Sequence, residues 1–459
     1  MKLDTQLKQD SGYAWVMSKL ETVSPFGHAR VREPEWYGPG RENELSAELA
    51  RVESAMAWGN AHVDALIHCL SEFRDIRNSF QRVSNAPMDV VELFEVKHFL
   101  LRLDRLAEQY RSAPLAEIEL TAMDDMLSLL DPEGRRLPTF SVESSFDPAL
   151  ERIRDKKAQV EQQLREGQNE ALMARRKELV QEEAIAEREA RLRLTTVLLR
   201  EKMRFFAAID ALGRLDLVLA KAKLARKYGC VKPEIGSESA VVIESMTHPQ
   251  VAEHLSGEFT PVDLELVQGA TVVTGANMGG KSVSLKAVAL NLLLVQTGFF
   301  VFAKRIRSPL FDSVGLIGAD GQSVERGLSS FGAEVKALDE VLKQEKGQFF
   351  FLALDEFARG TNPREGAALA RALVKHLNGL DCVAMLSTHY DGVASAARRH
   401  YQVAGLAELE RGTLEDLPRL MDYRLILTNP DAPCPQDAMK VCRLLGLDEN
   451  LMRSFEENS

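Results

Sequence analysis

Cysteine is scarce: five in 459 residues, at Cys69, Cys230, Cys382, Cys434 and Cys442. They form no C-x-x-C pair and no even-numbered framework, which argues against a disulfide scaffold or a zinc site and fits a reducing compartment. Long hydrophobic runs are missing as well. No stretch approaches the roughly 20 apolar residues of a membrane span, and the first thirty residues are polar and mixed, without the apolar core of a signal peptide. Together these absences predict a cytoplasmic protein with no membrane partner. A basic excess is also lacking: 57 Lys+Arg against 68 Asp+Glu give a formal net charge of −11. Nucleic-acid binders usually present a cationic surface that releases phosphate counterions, so the balance weakens a nucleic-acid partner while leaving room for a local basic face. The remainder, 45% apolar and 27% charged, is an ordinary composition with length for two or three domains.

Against this background one stretch carries chemistry. Gly275-Ala276-Asn277-Met278-Gly279-Gly280-Lys281-Ser282 follows the apolar run Thr271-Val272-Val273 and leads into residues 285–294, read as an amphipathic helix. The pattern predicts a strand, a glycine-rich turn and a helix start. Successive N–H groups of such a turn curve around an anion, and the helix N-terminus adds its positive end. Lys281 then reaches the β/γ phosphates and Ser282 is placed for Mg²⁺. A second run, Phe349-Phe350-Phe351-Leu352-Ala353-Leu354, reads as a buried strand and ends in Asp355-Glu356. In a parallel sheet the ligand lies beyond the carboxyl ends of the strands. Asp355 would therefore face the metal, and Glu356 would orient or deprotonate the attacking water. A third run, Cys382-Val383-Ala384-Met385-Leu386, ends at Ser387-Thr388-His389-Tyr390, where His389 can sense the γ-phosphate through a hydrogen bond.

The first 145 residues follow a helical pattern, with apolar residues at three- and four-residue spacing in 45–70 and 90–106, and predict a helical bundle. Pro138-Thr139-Phe140-Ser141-Val142 is a short extended interruption. Residues 150–224 are rich in Glu, Arg, Leu and Ala, as in long paired helices, with Gly167 as a break between two of them. Charges of both signs nearly cancel there, which favours a solvated helical hairpin over a nucleic-acid tract.

The three site motifs, Thr274 to Ser282, Asp355-Glu356-Phe357-Ala358-Arg359-Gly360-Thr361 and Ser387-Thr388-His389-Tyr390, resemble the ATPase motifs of the MutS family of DNA mismatch-repair proteins. Supporting residues fall in the family's order: His248-Pro249, Phe259-Thr260-Pro261, Asp320, Ser329-Ser330-Phe331 and Glu334. The resemblance implies an α/β P-loop ATPase domain of the ABC type with a mostly parallel sheet, preceded by an all-α lever-like domain with long paired helices. It implies ATP and Mg²⁺ as cofactors. Gly275, Ala276, Asn277, Met278, Gly279, Gly280, Lys281 and Ser282 would hold the nucleotide, and Phe259 would stack on adenine. The Ser329-Ser330 loop would reach the γ-phosphate bound by the other subunit, so that the site needs a homodimer or a MutS-like heterodimer. By the same resemblance, residues 1–145 form a helical core or lever-like domain and 146–235 the long charged arms, with the clamp reduced or absent. Residues 236–430 form the ATPase domain and 431–459 a helical dimerisation segment. Leu215-Asp216-Leu217-Val218-Leu219-Ala220-Lys221-Ala222 and Pro233-Glu234-Ile235 are similar to the family's helix-to-ATPase junction. Asp422-Tyr423-Arg424-Leu425 and residues 438–447 resemble its C-terminal dimerising helices.

The departures from the family also inform. Ala276 stands where proline is usual and Val283 where threonine is usual, and residues 360–366 lie nearer the short, non-mismatch branches. No Phe-x-Glu wedge is expected before the helices, Phe455-Glu456-Glu457 lying in the tail; the 150–199 helices leave little room for a β-rich clamp, and no nuclease-like domain is expected after the ATPase. Two functions follow as expectations. One is a DNA-associated ATPase that recognises structure or phosphate rather than a mispaired base. The other is a MutS-like ATPase acting on a mutase or other protein client. That second reading rests on Asp131-Pro132-Glu133-Gly134, Leu137-Pro138-Thr139-Phe140 and residues 150–154, which together with residues 355–363 resemble the reactivating ATPases of adenosylcobalamin-dependent lysine 5,6-aminomutase.

Overall fold

The computed structural model describes residues 4–81, 86–167, 169–254, 259–275, 280–318, 330–344, 347–406, 421–434, 442 and 447–457. The chain divides into two units, one of Met1–Glu21, Pro34–Met56 and Lys221–Ser459, the other of Thr22–Glu33 and Ala57–Ala220.

Among the described residues of the second unit the regular elements are all helical. Its Val90–Tyr110 helix starts at a capping box. The Asp89 carboxylate accepts from the Glu92 N–H at 2.8 Å, and the Glu92 carboxylate accepts from the Asp89 N–H at 2.9 Å, which satisfies two of the helix's free donors. Leu93, Val96, Leu100, Leu103 and Leu106 then repeat at helical spacing and are buried. Two long helices follow, Pro148–Glu166 and Glu170–Arg200, capped by the side chains of Asp147 and Asn169. Gly167 lies between them at φ −179°, extended backbone open to any residue, so the break is set by the two caps rather than by glycine's freedom. Arg154 bridges Glu183 at 2.8 Å and Glu187 at 2.7 Å across the pair. Such partly exposed ion pairs contribute up to about 1 kcal/mol each. Burying Leu150, fully enclosed with Val142, Ala186 and Ala190, stabilises by about 2 kcal/mol, so the apolar seam at the base outweighs any single bridge.

Among its described residues the first unit holds ten strands: β1 (Glu234–Ile235), β2 (Ala240–Met246), β3 (Val262–Val267), β4 (Gly269–Thr274), β5 (Arg305–Ser308), β6 (Ser313–Ile317), β7 (Phe350–Leu354), β8 (Cys382–Ser387), β9 (Arg399–Leu406) and β10 (Met421–Thr428). A four-stranded sheet has the order β1-β5-β2-β3, and a six-stranded sheet the order β10-β9-β4-β8-β7-β6. In the larger sheet every neighbouring pair is parallel except β10 with β9. The fold is thus mixed α/β. Every residue of β4, β7 and β8 is buried, as continuous apolar runs require when helices cover both faces. Ala270, Val272, Phe350, Leu352, Leu354, Cys382, Ala384 and Leu386 turn to one face and pack on Leu338, Leu373, Val374 and Leu377 of the helices Ser330–Gln344 and Pro363–Leu377.

The helix Lys281–Gln296 packs against β6, β7 and β8 and also meets the helix Tyr13–Ser18. It is therefore buried nearly all round, from Leu285 to Gln296 without a gap apart from Lys286, and is not the amphipathic helix expected from its sequence. Gln296 closes its end, donating to the carbonyls of Tyr37 at 2.9 Å and Phe311 at 2.6 Å. A second correction concerns Asp422-Tyr423-Arg424-Leu425. They are not helical: they lie in β10, which pairs antiparallel with β9 from Met421↔Leu406 to Thr428↔His400. Backbone pairing along that edge outweighs the local likeness to a helix. Most of 438–447 lies outside the described residues, while Glu449–Glu457 is helical.

Candidate functional site

Because β4, β8 and β7 are parallel neighbours, their carboxyl ends share one edge, with Val273 in register with Ser387 and Leu354 with Leu386. The Thr388 N–H donates to the Val273 carbonyl at 3.0 Å, and the Asp355 N–H to the Ile317 carbonyl at 2.8 Å, so the pairing extends past the strand ends. At this edge Gly275 leaves β4, Asp355 and Glu356 leave β7, and Thr388 and His389 leave β8.

Lys281, the first residue of its helix, is 2% exposed. Its ammonium donates to the Gly275 carbonyl at 2.6 Å and stands 3.7 Å from Glu356 Oε1. Burial pushes its pKa below the ordinary lysine value, and the carboxylates of Glu356 and Asp355 oppose that shift. The preceding Gly280 has φ +77°, and a Cβ there would lie 2.9 Å from the Tyr423 ring. Both the left-handed backbone and the close approach call for glycine.

Ser387 joins the two acids. Its hydroxyl donates to Asp355 Oδ1 at 2.7 Å and accepts the Glu356 N–H at 2.9 Å. Glu356 Oε2 accepts from Arg359 at 3.0 Å. Glu356 (φ 50°) and Ala358 (φ 67°) both occupy the left-handed region, at a cost of roughly 1–2 kcal/mol each for a residue with a side chain. Strain concentrated behind a carboxylate at a ligand edge directs attention to that carboxylate.

Ser282 is the second residue of the lysine helix and is half-buried. His389 is exposed just after β8, its ring 4.4 Å from that of Tyr390. Phe259 is half-buried in the segment that enters β3, on the smaller sheet. Ser330 begins the helix Ser330–Gln344. Ala276, Asn277, Met278, Gly279, Asp320 and Ser329 lie outside the described residues. The edge thus brings together Gly275, Gly280, Lys281, Asp355 and Glu356. Sequence reasoning gave Ser387 no role, and its bridging position becomes visible only once β8 is known to lie between β4 and β7.

The buried ammonium among carboxylates and helix N–H groups suits a polyanion that brings its own cation. Among the described residues no group of three or more His, Cys, Asp or Glu side chains could hold a metal ion. A hydrated Mg²⁺ bound by one or two side chains and by phosphate oxygens fits this donor set, with Ser282 and Asp355 as the available ligands.

The MutS domain V family model matches residues 271–420. Similar proteins named Endonuclease MutS2 include that of Ruminiclostridium cellulolyticum, 30% identical over 255 residues covering 55% of this chain and 31% of that protein. That of Geobacillus kaustophilus is 33% identical over 248 residues, 53% of this chain and 30% of that protein. The Caldanaerobacter subterraneus protein is 24% identical over 497 aligned positions, 90% of this chain and 60% of that protein. The chain thus covers less than two thirds of each of these relatives. Residues 271–420 match MutS domain V, and the likeness to proteins named Endonuclease MutS2 extends into the helical part of the chain.

Proposed function

We propose that the chain is an ATP-binding and ATP-hydrolysing switch that works as a dimer and associates with DNA without reading a mismatch. Lys281 binds the β/γ phosphates, and Ser282 and Asp355 face Mg²⁺. Glu356 orients or deprotonates the attacking water, His389 senses the γ-phosphate, and Phe259 stacks on adenine. The Ser329-Ser330 loop completes the partner subunit's site. Bound Mg²⁺ neutralises charge on the phosphate oxygens. Residues 236–430 are read as the ATPase domain and the long helices before it as lever arms whose arrangement follows the nucleotide state.

The observation that carries the nucleotide reading is the Lys281 ammonium, buried at 2% exposure and 3.7 Å from Glu356 at the edge where Asp355 also ends. A phosphate chain entering there meets the ammonium and the N-terminus of the helix at once. The MutS2 relatives support the DNA half, which a net charge of −11 confines to a local basic face. Lys281→Ala is expected to weaken ATP binding by about 100-fold, the scale of a lost charge-assisted contact in a desolvated site. Calorimetric titration of the folded variant checks this, and unchanged affinity would contradict it.

A further inference from the structure

Ala358 is held at both ends of its backbone by side chains from two other elements. Its N–H donates to Glu334 Oε2 at 2.9 Å, and its carbonyl accepts from the Tyr390 hydroxyl at 2.9 Å. Glu334 is 6% exposed and Tyr390 8% exposed. Glu334 comes from the helix Ser330–Gln344 and Tyr390 from the segment after β8. The residue held in this way has φ 67° and lies two positions after Glu356, at φ 50°. Left-handed backbone at two residues with side chains persists only where the surroundings impose it; at Ala358 these two bonds hold it, and at Glu356 the N–H is held by Ser387.

The clamp is built into the packing. Gly366, in the first turn of the helix Pro363–Leu377, passes so close that a Cβ there would lie 2.6 Å from the Tyr390 hydroxyl and 3.0 Å from the Ala358 carbonyl. Tyr390 is steadied in turn by its own N–H, which donates to Thr388 Oγ1 at 3.1 Å. Burial raises the pKa of the Glu334 carboxyl, and its bond from Ala358 opposes that rise. A neutral acceptor of the same shape should therefore serve at this position.

We propose that Glu334 and Tyr390 are positioning residues for Glu356, acting through the Ala358 peptide they hold from either side. This inference rests on the reading of Glu356 as the hydrolytic carboxylate. Neither residue touches the reacting atoms. They fix the turn from which the Glu356 side chain projects toward Lys281. Glu334 also stands one helical turn after Ser330. A shift of that helix therefore moves the acceptor of the Ala358 N–H, and with it the turn that carries the acid.

The test uses the full chain and measures ATP affinity separately from the single-turnover hydrolysis rate. Glu334→Ala is expected to hydrolyse about 100-fold more slowly, the effect of misplacing a reacting group by about 1 Å, with affinity changed less than about threefold. Glu334→Gln keeps an acceptor for the Ala358 N–H and should recover the rate to within about threefold of wild type, and Tyr390→Phe should lose about tenfold. Tyr390→Phe is nearly isosteric and keeps the test open if Glu334→Ala does not fold. Normal rates in Tyr390→Phe and Glu334→Ala, or equal losses of affinity and rate, would overturn the proposal while leaving the ATPase reading intact. Failure of the wild-type chain to hydrolyse ATP would overturn that reading, and the inference with it.

Discussion

At the scale of single residues, burial decides which groups hold charge. His248 is 2% exposed. Its Nε2 faces the Ser11 carbonyl at 3.1 Å, and Nδ1 accepts the Val251 N–H at 3.4 Å, an arrangement that fits the neutral ring. Burial lowers its pKa from 6.5 to about 4, with a smaller contribution from the Lys286 charge. The unfolded chain binds a proton below pH 6.5 that the folded chain refuses until about pH 4. Stability from this group is therefore complete above pH 6.5 and is lost as pH falls through that window, by about 3 kcal/mol in total. His248→Gln, which can still donate to Ser11, should flatten the pH dependence of urea unfolding between pH 6.5 and 4. An unchanged slope would contradict the assignment. The meeting of Lys281, Asp355 and Glu356 at one edge was legible at this scale, because they sit in short patterns at the ends of apolar runs that fix residue type and spacing. Ser387 was not legible. Its partners are Asp355 and Glu356, more than thirty positions away in the chain, and only strand order brings them together.

At the scale of elements, legibility followed the source of the stabilising energy. The runs ending at Val273, Leu354 and Leu386 are apolar on both faces, and strands buried on both faces require that. The long helices of 148–200 declared themselves by composition, with Gly167 read as the break; the structure adds the capping residues Asp147 and Asn169. Two elements resisted. Residues 285–294 were expected to show solvent one face, but the helix Tyr13–Ser18 covers that side, and no local pattern reports a contact made by the opposite end of the chain. β10 was missed because an edge strand takes its identity from its partner β9, and its exposed Ile426 and Leu427 blur the alternation that would mark it.

At the scale of the whole molecule, ATP-driven switching and DNA association are proposed together. Within this sequence the Phe-x-Glu spacing occurs only at Phe455-Glu456-Glu457, in the helix Glu449–Glu457, so a wedge that unstacks a weak base step has no other candidate. DNA binding is therefore expected to be phosphate-driven, to fall steeply with salt, and to treat matched and mismatched duplexes alike. Titration of both duplexes at two salt concentrations checks this. A tenfold preference for the mismatch, about 1.4 kcal/mol, would show that another surface reads the base step, and absence of binding at low salt would remove the DNA half. ATP hydrolysis is proposed for the edge shared by Lys281, Asp355 and Glu356, and the most direct measurement of it is single-turnover hydrolysis by Glu356→Gln beside wild type. The variant should bind ATP as wild type does and hydrolyse it at least about 100-fold more slowly, as loss of a general base requires; hydrolysis at the wild-type rate would contradict the assignment.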